Sequence, residues 1–273
     1  MNLQTTRAEA FKALHERPGI FAIPNPWDAG SAKLLASLGF EALATTSAGF
    51  AFSLGRPDGA GAVSREEALG HSRVIVEATR LPVSADLENG FGDEPETCAE
   101  TIRLAAEAGL VGASIEDATG RPEDPIYPFD LSVERVKAAV KAARGLSFPF
   151  ILTARAENFL HGRPDLKDTI RRLEAFADAG ADVIYAPGLI TREEIGAVVK
   201  AVAPKPVNVL GGGSLSLNEL AGLGVKRVSL GSALARAAYG AFLRAAEEIR
   251  REGAFTFAEE AVPFVKINAM FKA

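Results

Sequence analysis

Short apolar runs recur eight times along this chain, and amphipathic stretches separate them. The runs cover 20–25, 42–47, 82–87, 112–117, 150–155, 182–187, 206–210 and 227–232. Runs of this length are typical of buried strands, whereas the alanine-rich stretches between them, such as SVERVKAAVKAARG, have the spacing of amphipathic helices. Several of these stretches end at a glycine, which suits a helix C-terminus. Strand and helix are therefore predicted to alternate.

Eight strands that alternate with helices require a parallel sheet that helices cover. Eight such units within 273 residues predict an α/β fold of the (β/α)8 TIM-barrel type, and a doubly wound open sheet is the alternative. The chain contains no linker-like or low-complexity tract. Residues 1–273 are therefore predicted to form a single barrel domain.

The chain continues beyond the eighth run in a way that a barrel does not require. A long helix is predicted over 233–252, and residues 254–273 are predicted as a C-terminal helical extension. The apolar face of this extension needs a partner. We expect a neighbouring subunit to cover it, which predicts a homo-oligomer, and packing on the chain's own barrel is the alternative.

Composition and charge limit the partners that this chain can bind. The net charge is -5, and lysines and arginines are spread among the acids, which disfavours nucleic acid and anionic membranes as partners. No segment has the apolar character of a signal peptide or a membrane span. The single Cys98 cannot form an internal disulfide. These features predict a cytoplasmic protein that binds a small molecule.

Acidic side chains gather where the third and fourth predicted strands end. In PVSADLENGFG, Asp86 and Glu88 are two residues apart and share one face of the strand, and Glu116 ends the next run. Active sites of such barrels lie at the C-terminal ends of the strands. Carboxylates crowded at one mouth repel one another unless a cation or a shared proton neutralises them. Oxygen ligands without paired cysteine or histidine predict Mg²⁺ or Mn²⁺ rather than zinc, and helix capping or pairing with bases is the alternative.

Four further residues are candidates for ligand binding. Arg155 follows an apolar strand and suits a carboxylate or phosphate, and a salt bridge to Glu157 is the alternative. Asn208 is polar on a predicted barrel strand, so it needs either a neighbouring strand or a ligand as partner. Ser47 and the next backbone amides are placed to cradle a carboxylate. Asp58, from the residues alone, fits a Pro-Asp-Gly turn.

Other sequence motifs give weaker evidence for a functional site. The glycines 211–213, followed by a serine that is predicted to open a helix, indicate either a phosphate cradle or a tight turn. His15 and His71 share no spacing typical of a metal site and are predicted to be surface helix residues. His161 follows the fifth strand on the active face, and Cys98 is predicted to be a packing residue.

Taken together, the segments NPWDAGSAKLLASLGFEALATTSAG, SADLENGFGD, SIEDATG and LTARAENF resemble the isocitrate lyase/phosphoenolpyruvate mutase superfamily. The resemblance covers nearly the whole chain. It implies a barrel whose terminal helix is swapped between subunits, usually in a homotetramer that is a dimer of dimers. It also implies that 2-oxo acids or their enolates bind on Mg²⁺.

The resemblance assigns roles to single residues. Asp86, Glu88 and Glu116 match the metal-binding carboxylates, with Glu88 standing where many members have aspartate. Arg155 matches the substrate-binding arginine, and Asp58 matches an active-site acid. The remaining substrate contacts that it implies are Trp27, Ser47, Ala48, Asp86 and Asn208.

The loop after the fourth predicted strand departs from the superfamily's lyases. Its sequence, ATGRPEDPIYPFD, contains no cysteine to protonate an enolate, and Pro187 lies near the position of a glutamate in those lyases. It also lacks the lysines and asparagine of the mutase loop. The chain is therefore closer to a carboxyvinyl-carboxyphosphonate phosphorylmutase-like member without the lyase loop. Thr119, Arg121 and Tyr127 are the polar groups of this predicted lid.

The leading hypothesis is a Mg²⁺-dependent carbon–carbon lyase that decarboxylates an oxaloacetate-like 2-oxo acid. In this hypothesis Arg155 stabilises the enolate, and Tyr127 or water protonates it. A 2-methylisocitrate-type retro-aldol reaction needs a base, for which Glu157 or Asp58 are the candidates. Two competing hypotheses are a phosphonopyruvate-type enzyme that cleaves a C–P bond and a 2-oxo acid binding protein with little turnover.

Overall fold

Eight parallel strands form the centre of the structure, a computed structural model that describes residues 2–59 and 61–272. Each strand pairs with a neighbour in the order β1-β8-β7-β6-β5-β4-β3-β2. This arrangement confirms the predicted barrel of alternating strands and helices. The strands are β1 (Phe21–Ile23), β2 (Leu43–Ala44), β3 (Val83–Asp86), β4 (Gly112–Glu116), β5 (Ile151–Arg155), β6 (Val183–Tyr185), β7 (Val207–Leu210) and β8 (Arg227–Ser229).

The seam between β1 and β2 is bridged by single hydrogen bonds rather than by a ladder. The backbone N–H of Ala44 donates to the carbonyl of Pro24 at 3.1 Å. Next to it, the side-chain amide of Asn25 donates to the carbonyl of Thr45 at 2.9 Å and accepts from the N–H of Gly231 at 3.0 Å. One buried asparagine therefore joins β1, β2 and the loop after β8.

Helices surround the barrel, and side-chain caps define where many of them begin. Ser64 and Thr191 each accept from the third backbone N–H of the helix that follows, while a glutamate at that third position accepts from the cap N–H. The helices are α1 (Leu3–Glu16), α2 (Ala29–Ser37), α3 (Ser47–Ser53), α4 (Arg65–Ala78), α5 (Pro95–Glu107), α6 (Phe129–Arg144), α7 (Leu166–Asp178), α8 (Arg192–Val202), α9 (Leu217–Gly222), α10 (Ala233–Glu252) and α11 (Phe264–Met270), with a short 3₁₀ turn at Thr256–Glu259.

The layer between strands and helices is apolar, whereas the barrel interior is partly polar. Buried aliphatic residues of α5, α6, α7 and α8 pack on the outer faces of the strands. Helix α1 closes the N-terminal end of the barrel, where Phe11 packs in a buried cluster with Phe21 and Val183. Inside the barrel, by contrast, Thr153 and Asn208 are buried. A polar interior leaves room and hydrogen-bonding groups for a ligand.

The C-terminal segment leaves an apolar surface. Helix α10 buries little of itself against the barrel, and large apolar side chains along α10, α11 and the segment between them are exposed, including Phe242, Leu243, Phe255, Phe264 and Val265. Helix α11 touches α2, where the ring of Phe271 approaches Gly30. Exchange of this segment between subunits stays a prediction. No helix in 2–59 and 61–272 combines the length and apolar character that crossing a bilayer requires.

Candidate active site

The barrel brings the predicted acidic residues to one mouth. Asp86 ends β3, Glu116 ends β4 and Arg155 ends β5. In the parallel register Glu116 pairs directly with Arg155, and Asp86 pairs with Ser114 two residues before Glu116. Side chains at alternate positions of a strand share one face, so these charged groups point to the same interior.

Arg155 lies at the centre of the carboxylates. Its Nη1 is 2.8 Å from Asp86 Oδ1, its Nη2 is 3.1 Å from Glu116 Oε2, and its Nε is 2.8 Å from Glu157 Oε1. The Arg155 side chain is 14% exposed and that of Glu157 only 3%. The guanidinium also lies over the ring of Tyr185, 5.2 Å from its centroid. Arg155 therefore makes salt bridges both to Glu157 and to the barrel acids.

The pKa values in this cluster reflect crowding among the acids. Burial raises the pKa of Glu116 well above its usual range, and Arg155 only partly opposes this effect. Burial, followed by the charges of Asp86 and Asp58, raises the pKa of Glu88 to about 7. Burial alone lowers the pKa of Arg155, but the surrounding carboxylates outweigh it and raise that pKa. The site has an excess of negative charge that one arginine does not neutralise.

Glu88 is held in an uncommon backbone conformation. Its φ is 47°, and Phe91, three residues later, has φ of 63°. Residues other than glycine rarely adopt positive φ, and such strain persists where the surroundings enforce it. The buried Arg135 supplies this support because its guanidinium donates to the backbone carbonyls of Asn89 and Gly92. The position of Glu88 therefore depends on α6, which carries Arg135.

Ser47 begins α3 and contacts Asp86 directly. Its hydroxyl donates to Asp86 Oδ2 at 3.0 Å, and its backbone N–H lies 3.3 Å from the same oxygen. Asp58 lies in the loop that follows α3, where partial desolvation and then the charge of Asp86 raise its pKa. The turn that was predicted to cradle a carboxylate thus contacts a carboxylate of the protein itself.

Two cavities meet at Arg155, which lines both. The larger, here the outer cavity, has a volume of about 980 Å³ and is open to solvent at the barrel mouth. The smaller, here the inner cavity, has a volume of about 180 Å³ and lies inside the barrel. The outer cavity is lined by Ser47, Asp58, Glu88, Glu116, Arg155, Glu157 and His161 among others. The inner cavity is lined by Ser47, Ala48, Asp86, Arg155, Asn208 and Arg227 among others.

Asn208 has the neighbouring-strand partner that one of its two interpretations requires, and its contact with a ligand stays a prediction. Its Nδ2 donates to Ser229 Oγ at 2.9 Å, and its Oδ1 accepts from Arg227 Nε at 2.8 Å. These are partners on the neighbouring strand β8. Because Asn208 also lines the inner cavity, the remaining N–H of its amide is available to a ligand.

Tyr127 forms a latch between the loops after β3 and β4. Its hydroxyl donates to Asp93 Oδ1 at 2.6 Å and accepts from Asn89 Nδ2 at 3.1 Å. Arg121 is 2.9 Å from the same Asp93 carboxylate. Thr119 and Arg121 line the outer cavity, whereas Tyr127 is buried and lines neither cavity. The latch keeps the predicted lid against the Glu88 loop.

Trp27 lines neither of the two cavities. Its carbonyl accepts from His71 Nε2 at 2.9 Å, and its Cβ lies close to Gly49. The His71 ring stacks on Phe50 with 3.8 Å between the ring centroids. The structure therefore places Trp27 beside the start of α3, behind the Ser47 turn.

The prediction that His15 and His71 lie on the surface is wrong. His15 is 9% exposed, and its ring packs edge-on against Phe11 and Phe21. His71 is partly buried under α3, where its Nε2 donates to the Trp27 carbonyl. The helical spacing of Phe11, Leu14 and His15 indicates that His15 is buried, since it places all three residues on one face of the helix.

Two other weak motifs have structural roles. Cys98 is fully buried, as its prediction as a packing residue requires. Helix α9 begins at Leu217 rather than next to the three glycines, and the Ser216 side chain caps its first turn. The serine at 214 therefore does not open the helix.

The oxygen donors of these carboxylates are of the type that a hard divalent cation prefers. Within 2–59 and 61–272, no three acidic, histidine or cysteine side chains are grouped closely enough to hold an ion. The guanidinium of Arg155 lies between Asp86 and Glu116 and pairs with both. Burial first, and neighbouring carboxylates second, raise the pKa values of Glu88 and Glu116, and a divalent cation beside them would favour their charged forms. Their oxygen donors suit Mg²⁺ or Mn²⁺.

Comparison with known proteins finds relatives that are named for different reactions. Several curated relatives are 2-methylisocitrate lyases, and that of Halalkalibacterium halodurans is 28% identical over 92% of this chain and 84% of its own length. The family model of phosphoenolpyruvate phosphomutase matches residues 11–250. A putative lyase/mutase from Burkholderia cenocepacia J2315 is 66% identical, with a TM-score of 0.97 over 100% of this chain and 98% of that one. An oxaloacetate decarboxylase from Paraburkholderia xenovorans is 30% identical over 84% of this chain and 76% of its own length. Oxaloacetate acetylhydrolase in complex with oxalate is 26% identical, with a TM-score of 0.86 over 98% and 94% of the two chains.

Proposed function

The chain belongs to the phosphoenolpyruvate phosphomutase family of the isocitrate lyase/phosphoenolpyruvate mutase superfamily, and from this premise we propose that it is a metal-dependent carbon–carbon lyase. Its proposed substrate is a small 2-oxo acid, and decarboxylation of an oxaloacetate-like acid is the preferred reaction. Two of the relatives described above are named for oxaloacetate.

The observation that carries this proposal is the cluster around Arg155. A guanidinium with three carboxylate partners lies where the outer and inner cavities meet. In a decarboxylation the bond to the leaving carboxylate breaks, and its electron pair moves onto the keto oxygen as an enolate. A positioned cation stabilises that developing charge, and removal of one such donor typically costs roughly 100- to 1000-fold in rate. Arg155 is the residue that we propose for this role.

Asp86, Glu88 and Glu116 are the proposed ligands of a divalent cation, with Mg²⁺ preferred and Mn²⁺ as the alternative. A bound cation would supply positive charge that stabilises the enolate. Arg155 already pairs with Asp86 and Glu116, so it keeps those carboxylates in position. Ser47 donates two hydrogen bonds to Asp86 and thereby holds this carboxylate from its other side.

The proton that completes the reaction needs a donor. Tyr127 is a candidate, but its hydroxyl donates to Asp93 and lies outside both cavities. It would have to leave that bond before it could reach an enolate. Water in the outer cavity needs no such movement, and we favour it as the donor.

A retro-aldol cleavage is the second candidate, and Asp58 favours it. This reaction needs a base to take a hydroxyl proton, and Asp58 lines the outer cavity with a raised pKa. Glu157 also lines that cavity, but its salt bridge with Arg155 Nε and its burial restrict it. Asp58 is therefore the preferred base for this reaction.

A homo-oligomer is the proposed assembly, with a tetramer of helix-swapped dimers as the preferred form. Its support is the exposed apolar surface of α10 and α11. Sedimentation of the full chain beside a Phe264→Asp variant tests it, because a charge on this surface should shift the assembly toward smaller species. A full chain that sediments only as a monomer would contradict the proposal.

The proposed reaction is tested by NMR with purified protein, Mg²⁺ and a panel of oxaloacetate, 2-methylisocitrate and phosphonopyruvate. We expect loss of oxaloacetate faster than its spontaneous decay, and we expect Asp86→Ala to abolish the increase. Asp178→Ala, at the exposed end of α7, is the matched control and should retain full activity. Binding of the panel without consumption of any member would favour a 2-oxo acid binding protein instead.

A further inference from the structure

The inner cavity contains a buried arginine that the proposed reaction does not use. Arg227 begins β8, is 5% exposed and lines the inner cavity. It lies deeper in the barrel than Ser229 because it comes two residues earlier on the same strand. Its Nε donates to Asn208 Oδ1 at 2.8 Å, and its Nη2 donates to Thr153 Oγ1 at 2.9 Å. Its Nη1 is 3.3 Å from His15 Nε2.

All of these partners are uncharged. Burial, followed by the charge of Arg227 itself, lowers the pKa of His15 to about 3, so the imidazole is neutral at physiological pH. Among the described residues, Arg227 forms no ion pair, whereas Arg155 forms three. Arginine stays protonated even when buried. Two carboxylates, Asp58 and Asp86, also line the inner cavity. Asp86 pairs with Arg155, and neither carboxylate pairs with Arg227.

A buried charge without a counterion is unfavourable, and an anionic ligand in the inner cavity would offset this cost. Arg227 also determines how Asn208 is oriented. An arginine only donates hydrogen bonds, so Asn208 must turn its Oδ1 toward Arg227 and its Nδ2 toward Ser229. The second N–H of Nδ2 then remains for a ligand oxygen.

We propose that Arg227 is a specificity-determining positioning residue, which orients the Asn208 amide and supplies the positive charge that makes the inner cavity prefer dianionic ligands. The ligand class is a 2-oxo acid or enolate with two carboxylates, or an equivalent dianion. This inference rests on the proposed function because it names the substrate class of the same site. It assigns the preference to a residue that acts through Asn208 and through its charge.

Isothermal titration of the full-length protein with oxalate and with pyruvate, both in Mg²⁺, tests the charge preference. We expect Arg227→Gln to weaken oxalate binding about tenfold and pyruvate binding less than about threefold, a tenfold change being about 1.4 kcal/mol. Arg227→Lys should retain most of the preference because it keeps the charge. Arg7→Gln is the matched control, since Arg7 is also buried, at 8% exposed, and donates only to backbone carbonyls away from both cavities.

A second variant tests the inference if Arg227→Gln does not fold. Thr153→Asp leaves Arg227 and Asn208 in place but gives the guanidinium a counterion, and it should reduce the preference for oxalate in the same direction. An unchanged ratio of oxalate to pyruvate affinity in folded Arg227→Gln, or in Thr153→Asp, would overturn the inference.

The two proposals fail in distinguishable ways. Consumption of oxaloacetate by the unsubstituted protein, together with an unchanged affinity ratio in Arg227→Gln, would overturn the role of Arg227 and leave the lyase standing. An oxalate preference that depends on Arg227, in a protein that consumes no 2-oxo acid, would support the inference and reject the lyase.

Discussion

Arg155 and Arg227 lie inside the same barrel but have opposite surroundings. Arg155, at the mouth, has carboxylates on three sides, within 3.1 Å. Among residues 2–59 and 61–272, the partners of Arg227, deeper inside, are an amide, a hydroxyl and a neutral imidazole. The first arginine keeps acidic groups together, and the second leaves a positive charge for something else. The two residues are both arginines, but they differ in the charges of the side chains that surround them.

The largest effect is expected when Arg155 is lost. Arg155→Met leaves Glu157 buried without its partner, so we expect the free energy of unfolding to fall by about 3 kcal/mol at pH 7. We also expect kcat/KM for the substrate to fall roughly 100- to 1000-fold. Urea unfolding and steady-state kinetics measure these changes, with Arg73→Met on the exposed side of α4 as control. Activity within tenfold of the unsubstituted protein would remove Arg155 from the proposed mechanism.

A smaller change in the free energy of unfolding is expected when Glu88 is replaced in the metal-free protein. Its pKa is raised to about 7 in the folded protein, so the folded state binds this proton more tightly than the unfolded chain does. Stability is therefore lost as pH rises from about 5 to about 8, and Glu88→Gln should recover about 2 kcal/mol at pH 8 but little at pH 5.

Urea unfolding in EDTA at both pH values measures the Glu88 effect. Glu174→Gln, on an exposed position of α7, is the control and should follow the unsubstituted protein at each pH. Equal pH dependence in Glu88→Gln and the unsubstituted protein would show that Glu88 is not the titrating group.

Loss of Arg227 should lower the free energy of unfolding less than loss of Arg155 does. Arg227→Met removes a buried charge, which stabilises the folded protein, and it also removes the hydrogen bonds of that charge, which destabilises it. The two effects oppose each other. We expect a change in unfolding free energy smaller than about 1.5 kcal/mol. A loss as large as that of Arg155→Met would show that the hydrogen bonds of Arg227 outweigh the cost of burying its charge.

The smallest effect is expected at the latch, away from both arginines. Tyr127→Phe removes the hydroxyl bonds to Asp93 and Asn89, and we expect a loss of about 0.5–1 kcal/mol in unfolding free energy. Combining it with Asp93→Asn should give less than the sum of the two single losses, since both variants break the same bond. Additive losses would show that the latch is not formed in solution.

Much of the fold and part of the site followed from local pattern. Alternating apolar runs and amphipathic stretches predicted the strands, and the acids at the ends of β3 and β4 predicted a charged mouth. The spacing of Asp86 and Glu88 did not reveal that Glu88 sits at positive φ, because that conformation depends on support from Arg135 in α6. The prediction that His15 lies on the surface is wrong because one face of α1 packs against the N-terminal end of the barrel.

The order of strands and helices, the placement of acids at strand ends and the family can be read from the amino-acid sequence, since these depend on neighbouring residues. Which charges meet depends on the folded barrel. Arg155 pairs with Asp86 across 69 positions, and Arg227 approaches His15 across 212. Such contacts exist only because the barrel closes, and closure is a property of all eight strands together. The charge balance of each arginine therefore depends on contacts that no local pattern predicts.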